Sequence, residues 1–149
     1  MVGDANGADR AVQEFLHERS ATDVTVYCTG WHPRNNVGHW PVQVVNSKAP
    51  KGTSRYFAAA DVAMASSADL GLMFWDAKNS GTLSKIIELV RIQKKCAIFV
   101  ETTEAFVVVK DVPTLQSLVE LMPGLARQQA ENKIALSATI STIERSQGS

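Results

Sequence analysis

Apolar positions along the chain alternate between two patterns: the three-to-four spacing of a helix, and the short continuous run of a buried strand. Ala8, Val12, Phe15 and Leu16 follow helical spacing, so residues 8–19 are expected to form an amphipathic helix with Asp9 in its first turn, where a carboxylate suits the helix dipole. Residues 24–28 (VTVYC) form a short β-rich run. Tyr56, Phe57, Ala60 and Met64 mark a second helix over residues 53–66. Leu70–Trp75 (LGLMFW) is apolar throughout, as expected of a strand covered on both faces. Leu83, Ile86, Ile87 and Val90 give residues 82–93 a clear helical stripe. Residues 96–100 (CAIFV) read as a third strand and residues 106–109 as a short fourth. Leu115, Leu118, Val119 and Met122 mark a further helix with Pro113 near its start, a position that tolerates the missing N–H.

Strands alternating with helices predict βα units and right-handed crossovers, hence a three-layer α/β domain: a parallel sheet with helices on both faces. Between residues 29 and 52 the pattern breaks at Pro33, Gly38, Pro41, Pro50 and Gly52, and structureless stretches of that length are often functional. From Pro123 onward the spacing of Leu125, Ile134, Ile140 and Ile143 is loose. The expected organisation is therefore an α/β domain over residues 1–122 and a C-terminal extension over residues 123–149, helical or disordered.

Composition narrows the function. The chain has 149 residues, enough for one domain with a real core, and 15 basic residues balance 15 acidic ones. That balance offers no electrostatic footprint for nucleic acid or an anionic membrane, and no apolar run reaches the length of a span. Cys28 and Cys96 each lie in an apolar run and read as reduced, buried thiols, which places the protein in the cytoplasm. His17, His32 and His39 make no ligand spacing with them, so neither a metal nor another cofactor is expected.

Two loops sit where an open parallel sheet binds ligands, beyond the carboxyl end of a strand and before a helix. The first is GDANGAD, with Gly3, Asp4, Gly7 and Asp9; the second is WDAKNSGT, with Asp76, Ser80, Gly81 and Thr82. Glycine lets the backbone approach a ligand, and the N–H groups of a helix start favour an anion such as phosphate. Asp4 and Asp76 would accept hydrogen bonds from sugar hydroxyls. The same residue types also serve as ordinary turns and helix caps, so both readings stand. Arg34, Asn35 and Asn36, flanked by Trp31 and Trp40, suit a loop that clamps phosphate and reads a base or ribose edge; a solvated turn is the alternative.

The set GDANGADRAVQEFL, RNNVGHW and DVAMASSADLGLMFWDAKNSGT resembles the SLOG superfamily, the Rossmann-like group related to the LOG phosphoribohydrolases, over about the first 100 residues. The likeness is to a bacterial branch of small proteins carrying GDANGAD, RNN and WD-x-x-S-x-GT motifs. It implies a pocket for a nucleotide or nucleotide-derived small molecule, held by the two loops just named, in a sensor or carrier. An N-glycosidic hydrolase or transferase acting on nucleoside monophosphates is the alternative, and a non-catalytic subunit held by protein contacts a third.

Two departures from that family's pattern bear on these expectations. The related hydrolases place a glutamate just after the Gly-Thr pair, where this chain has Leu83, Ser84 and Lys85; its first acid is Glu88, leaving Asp76 and Glu88 as candidate catalytic carboxylates. Relatives also carry an N-terminal strand, a Gly-Gly-Ser-Arg-like loop and a helix ahead of GDANGAD, where only Met1 and Val2 stand here. The domain is thus expected to be N-terminally truncated, with exposed strand edges and apolar faces that favour a homo-oligomer.

Overall fold

The computed structural model describes residues 1–148 and divides into two compact units, Met1–Ala68 and the chain from Asp69 onward. It is a mixed α/β protein with parallel strand pairs in two separate sheets; the pair in the second unit is joined through a helix, as the alternating pattern predicts, whereas the pair in the first is joined by a loop.

The first unit contains α1 (Ala8–Glu18), β1 (Val26–Thr29), β2 (Val42–Val45) and α2 (Ser54–Ser67). β1 and β2 pair in parallel, from Val26 opposite Val42 to Thr29 opposite Val45. Val2 forms a parallel bridge to Val26, its N–H donating to the Thr25 carbonyl at 3.0 Å and its own carbonyl accepting from the Tyr27 N–H at 2.9 Å. A single residue thus supplies the strand register that leads into GDANGAD. Val12 and Leu16 of α1 pack with Ala21 on Val2, Val24, Val26 and Trp40. Thr29 points the other way along the alternating strand: its hydroxyl accepts the Ala60 N–H at 3.2 Å and donates to the Phe57 carbonyl at 3.4 Å. α1 and α2 therefore lie on opposite faces of β1. β2 falls inside the stretch read from sequence as unstructured, because four residues beside Pro41 carry too little pattern to stand out.

The second unit runs β3 (Leu70–Trp75), α3 (Ser80–Arg91), β4 (Lys95–Val100), β5 (Ala105–Val109), α4 (Val112–Val119), α5 (Gly124–Ile134) and α6 (Leu136–Gln147). β3 and β4 are parallel, joined through α3, with Leu70 opposite Lys95 and Trp75 opposite Val100. Leu83, Ile86, Ile87, Leu89 and Val90 of α3 are buried, as are Cys96, Ile98, Val100 and Val109 on the strands. Each such aliphatic side chain contributes about 1.5–3 kcal/mol by leaving water. Gly71 lets α3 come close, since a Cβ there would lie 2.6 Å from Leu89 Cδ1.

Three features depart from the sequence expectation. β5 is antiparallel to β4, because residues 101–104 suffice for a hairpin but not for a crossover. β3 is covered on one face only: Leu70, Leu72 and Phe74 are exposed. Strand side chains alternate between faces, so an all-apolar run cannot by itself show that both are covered. The tail forms two helices that pack on the rest of the unit, α5 on α3 and α6 on α4 and α5, burying Ala126, Ala130, Leu136, Ile140 and Ile143. Alanines that allow close helix contact add little to an apolar stripe, which is why the tail looked weak.

Candidate functional site

In the second unit the carboxyl ends of β3 and β4 open into a cleft of about 360 Å³, lined by Phe74, Trp75, Asp76, Asn79, Thr82, Phe99 and Glu101. This volume falls in the range that holds a small-molecule ligand. Its loop is built from local polar bonds. Asp76 Oδ1 accepts the N–H groups of Lys78 at 2.8 Å and Asn79 at 2.7 Å, closing an Asx turn around Ala77, which is fully buried with a left-handed φ of 61°. The Trp75 indole N–H donates to the Asn79 carbonyl at 2.9 Å. Asn79 Oδ1 caps α3 by accepting the Thr82 N–H at 2.9 Å. The Glu101 N–H donates to the Trp75 carbonyl at 2.9 Å, tying the ends of the two strands together.

This arrangement has chemical consequences. Ser80 and Gly81 open α3, where N–H groups have no intrahelical acceptor and point out of the helix start. The Asn79 N–H bond above all, with help from Lys78, holds the Asp76 carboxyl below its usual range against the opposing effect of burial. Asp76 is therefore an ionised acceptor at neutral pH. Phe74 and Phe99 add aromatic surface, their ring centroids 6.2 Å apart. Glu88 is not part of the lining: Arg91 holds it by two bonds of 2.6 and 2.8 Å, which keep its carboxyl below the usual range. Among the described residues no three His, Cys, Asp or Glu side chains gather as a metal would require.

The first unit brings its predicted residues together, but bonded to one another. Asp4 is only 3% exposed; its carboxylate accepts the Arg34 N–H at 2.8 Å, Arg34 Nη2 at 2.6 Å and Arg34 Nε at 3.2 Å. That hydrogen bonding raises the Arg34 pKa further, and the guanidinium carbon lies 4.1 Å from the centroid of the Phe57 ring. Asn35 donates to the Asp4 carbonyl at 2.8 Å and to Asn6 Oδ1 at 2.9 Å. Asn36 clasps the backbone N–H and carbonyl of Trp40, both at 2.9 Å. Asp9 accepts the Ala5 N–H at 3.1 Å, and a Cβ on Gly3 would collide with its carboxylate; Gly7 caps α1 at a φ of 84°. Gln13, fully buried, joins the loops: it donates to the carbonyls of Gly3 at 2.8 Å and Asn35 at 3.1 Å and accepts the Val37 N–H at 2.9 Å.

A second open cleft, lined by His17, Ser20, His39 and Trp40 among others, lies near Pro41 at the amino end of β2, the end of a parallel sheet where ligands are not held. The sequence reading missed Glu101, Phe74 and Phe99 in the cleft of the second unit, and Gln13 between the loops of the first. Glu101 carried one signal, its position directly after a strand. Gln13 carried none, being one polar position on an exposed-looking helix. Comparison of the chain with protein-family models, with curated proteins and with solved structures gave no match.

Proposed function

We propose that the second unit binds a nucleotide or a nucleotide-derived ligand in the cleft at the carboxyl ends of β3 and β4, as a sensor or carrier. One observation carries the reading: an ionised carboxylate and two phenylalanine rings line one cleft together with Asn79 and Thr82, which flank Ser80 and Gly81 at the start of α3. A phosphate suits the N–H groups of Ser80 and Gly81, ribose hydroxyls suit the oxygens of Asp76 and Glu101, and a base suits the Phe74 and Phe99 surface. The turn bonds on Asp76 Oδ1 offset part of that carboxylate's charge against an incoming phosphate.

Hydrolysis of an N-glycosidic bond is the second reading, favoured by the presence of Asp76 and Glu101 in one cleft. Such a reaction ordinarily needs a protonated acid beside an ionised carboxylate. Asp76 is held ionised, which fits a hydroxyl acceptor or an oxocarbenium stabiliser and does not fit a proton donor. Binding is accordingly the better supported function. Calorimetric titration with a panel of nucleosides and their mono- and diphosphates is expected to show saturable binding that weakens about tenfold in Asp76→Asn, the loss of one charge-assisted hydrogen bond. Free base released from a nucleoside monophosphate by the parent chain, and lost in Asp76→Asn, would favour the hydrolase instead.

A further inference from the structure

Strand alternation places Leu70, Leu72 and Phe74 of β3 on one face of the three-stranded sheet. The register brings Lys95, Ala97 and Phe99 of β4 beside them, and Val108 and Phe106 of β5 opposite Ala97 and Phe99. Apart from Lys95 at the margin, every position on this face is apolar. Leu70, Leu72, Phe74, Phe106 and Val108 are between 45% and 63% exposed. The rings of Phe74, Phe99 and Phe106 form a ladder across all three strands, with successive centroids 6.2 and 5.2 Å apart. Scattered exposed apolar side chains are ordinary, whereas a contiguous patch spanning a sheet marks an interaction surface.

The area indicates the occupant. Side chains of this size at these exposures present roughly 500 Å² of apolar surface, so two such faces set together bury about 1,000 Å² before any rim is counted. That reaches the threshold for a specific interface, and a sheet face is a shape that packs on its own copy at a small angle. Fifteen basic and fifteen acidic residues leave no net charge to hold two copies apart. We infer that two copies of this chain pair through a two-fold axis, each covering the Leu70–Leu72–Phe106–Val108 face of the other. The face meets the cleft of the proposed ligand at Phe74 and Phe99, whereas Leu70, Leu72, Phe106 and Val108 lie outside the cleft lining, so changes at these four test the pairing without altering the cleft.

Sedimentation equilibrium of the whole chain across a dilution series tests the pairing. The parent chain is expected at twice its 16.2 kDa chain mass, separating on dilution. Phe106→Glu is expected at the single-chain mass with an unchanged far-ultraviolet circular dichroism spectrum, because the side chain it replaces is already exposed. Val108→Thr keeps strand propensity, so it remains informative if the charged variant unfolds; it is expected to weaken the dimer about tenfold, counted once in each copy. A monomer at every concentration would overturn the inference, since the face would then be covered within the chain or left open. Assemblies beyond two, or a dimer indifferent to both variants, would overturn it equally, because a two-fold pairing through this face stops at two.

Discussion

At the scale of single residues, the polar groups of the first unit act as internal fasteners. Asp4 is almost fully buried and depends on Arg34 for three hydrogen bonds, while the Arg34 side chain is 38% exposed and partly screened by water. Asp4→Asn removes the charge but keeps the shape, so it is expected to destabilise the chain by about 1–3 kcal/mol in urea unfolding, below the cost of breaking a fully buried pair. An unchanged midpoint would mean that the pair contributes nothing. The two thiols give a second prediction. Burial pushes Cys96 up to about 12 and also raises Cys28, and neither side chain is exposed. Thiolate is the reactive species, so at pH 8 the native chain is expected to leave a thiol-exchange reagent unconsumed, with both thiols reacting once denaturant is added. Rapid labelling of one thiol in the native chain would contradict the burial.

At the scale of elements, helix ends are fixed by short polar contacts that the sequence announces. Asp111 caps α4 in a capping box: its Oδ1 accepts the Thr114 hydroxyl at 2.6 Å and the Thr114 N–H at 3.0 Å. Those bonds, the hydroxyl first, hold the Asp111 carboxyl below its ordinary value of 3.8, as the Asn79 N–H does for Asp76. A carboxyl depressed in the folded state contributes stability that is complete above its unfolded pKa and is lost as pH falls through the folded one. Unfolding free energy is therefore expected to be level with respect to these two groups above pH 5 and to decline below about pH 4, less steeply in Asp111→Asn. A parallel decline in the variant would remove the cap from the account. Asn79→Ala, which deletes the cap of α3, is expected to cost about 1 kcal/mol.

Elements with strong periodicity were legible for the same local reasons. The α3 stripe, the LGLMFW strand and the helix start at Pro113 were all readable because spacing and proline placement are properties of neighbours in sequence. What lay hidden depends on distant partners. The antiparallel turn of β5, the bare face of β3 and the strand role of Val2 follow from pairings that no window of sequence contains. The site divides likewise. Asp76, Ser80, Gly81 and Thr82 were marked by the turn chemistry before a helix, and the structure sets Asp76 and Thr82 in one cleft lining. Glu101, Phe74 and Phe99 join them only because β4 lies beside β3.

At the scale of the whole molecule, each of the two units holds a parallel strand pair, joined through α3 in the second unit and by a loop in the first, and no helix among the described residues is long and apolar enough to cross a membrane. The first unit spends Asp4, Asp9, Asn35 and Asn36 on its own backbone, while the second leaves a carboxylate, a helix start and two rings around open space. This difference is why the nucleotide site is proposed in the second unit. Backbone amide shifts of the nitrogen-15-labelled chain, recorded as a nucleoside monophosphate is added, test it most directly. Saturable shifts centred on Asp76, Ser80, Gly81 and Glu101, with the amides of Asp4, Arg34 and Asn35 still, are the predicted result. Shifts confined to the Asp4–Arg34 loops, or none at saturating nucleotide, would contradict it.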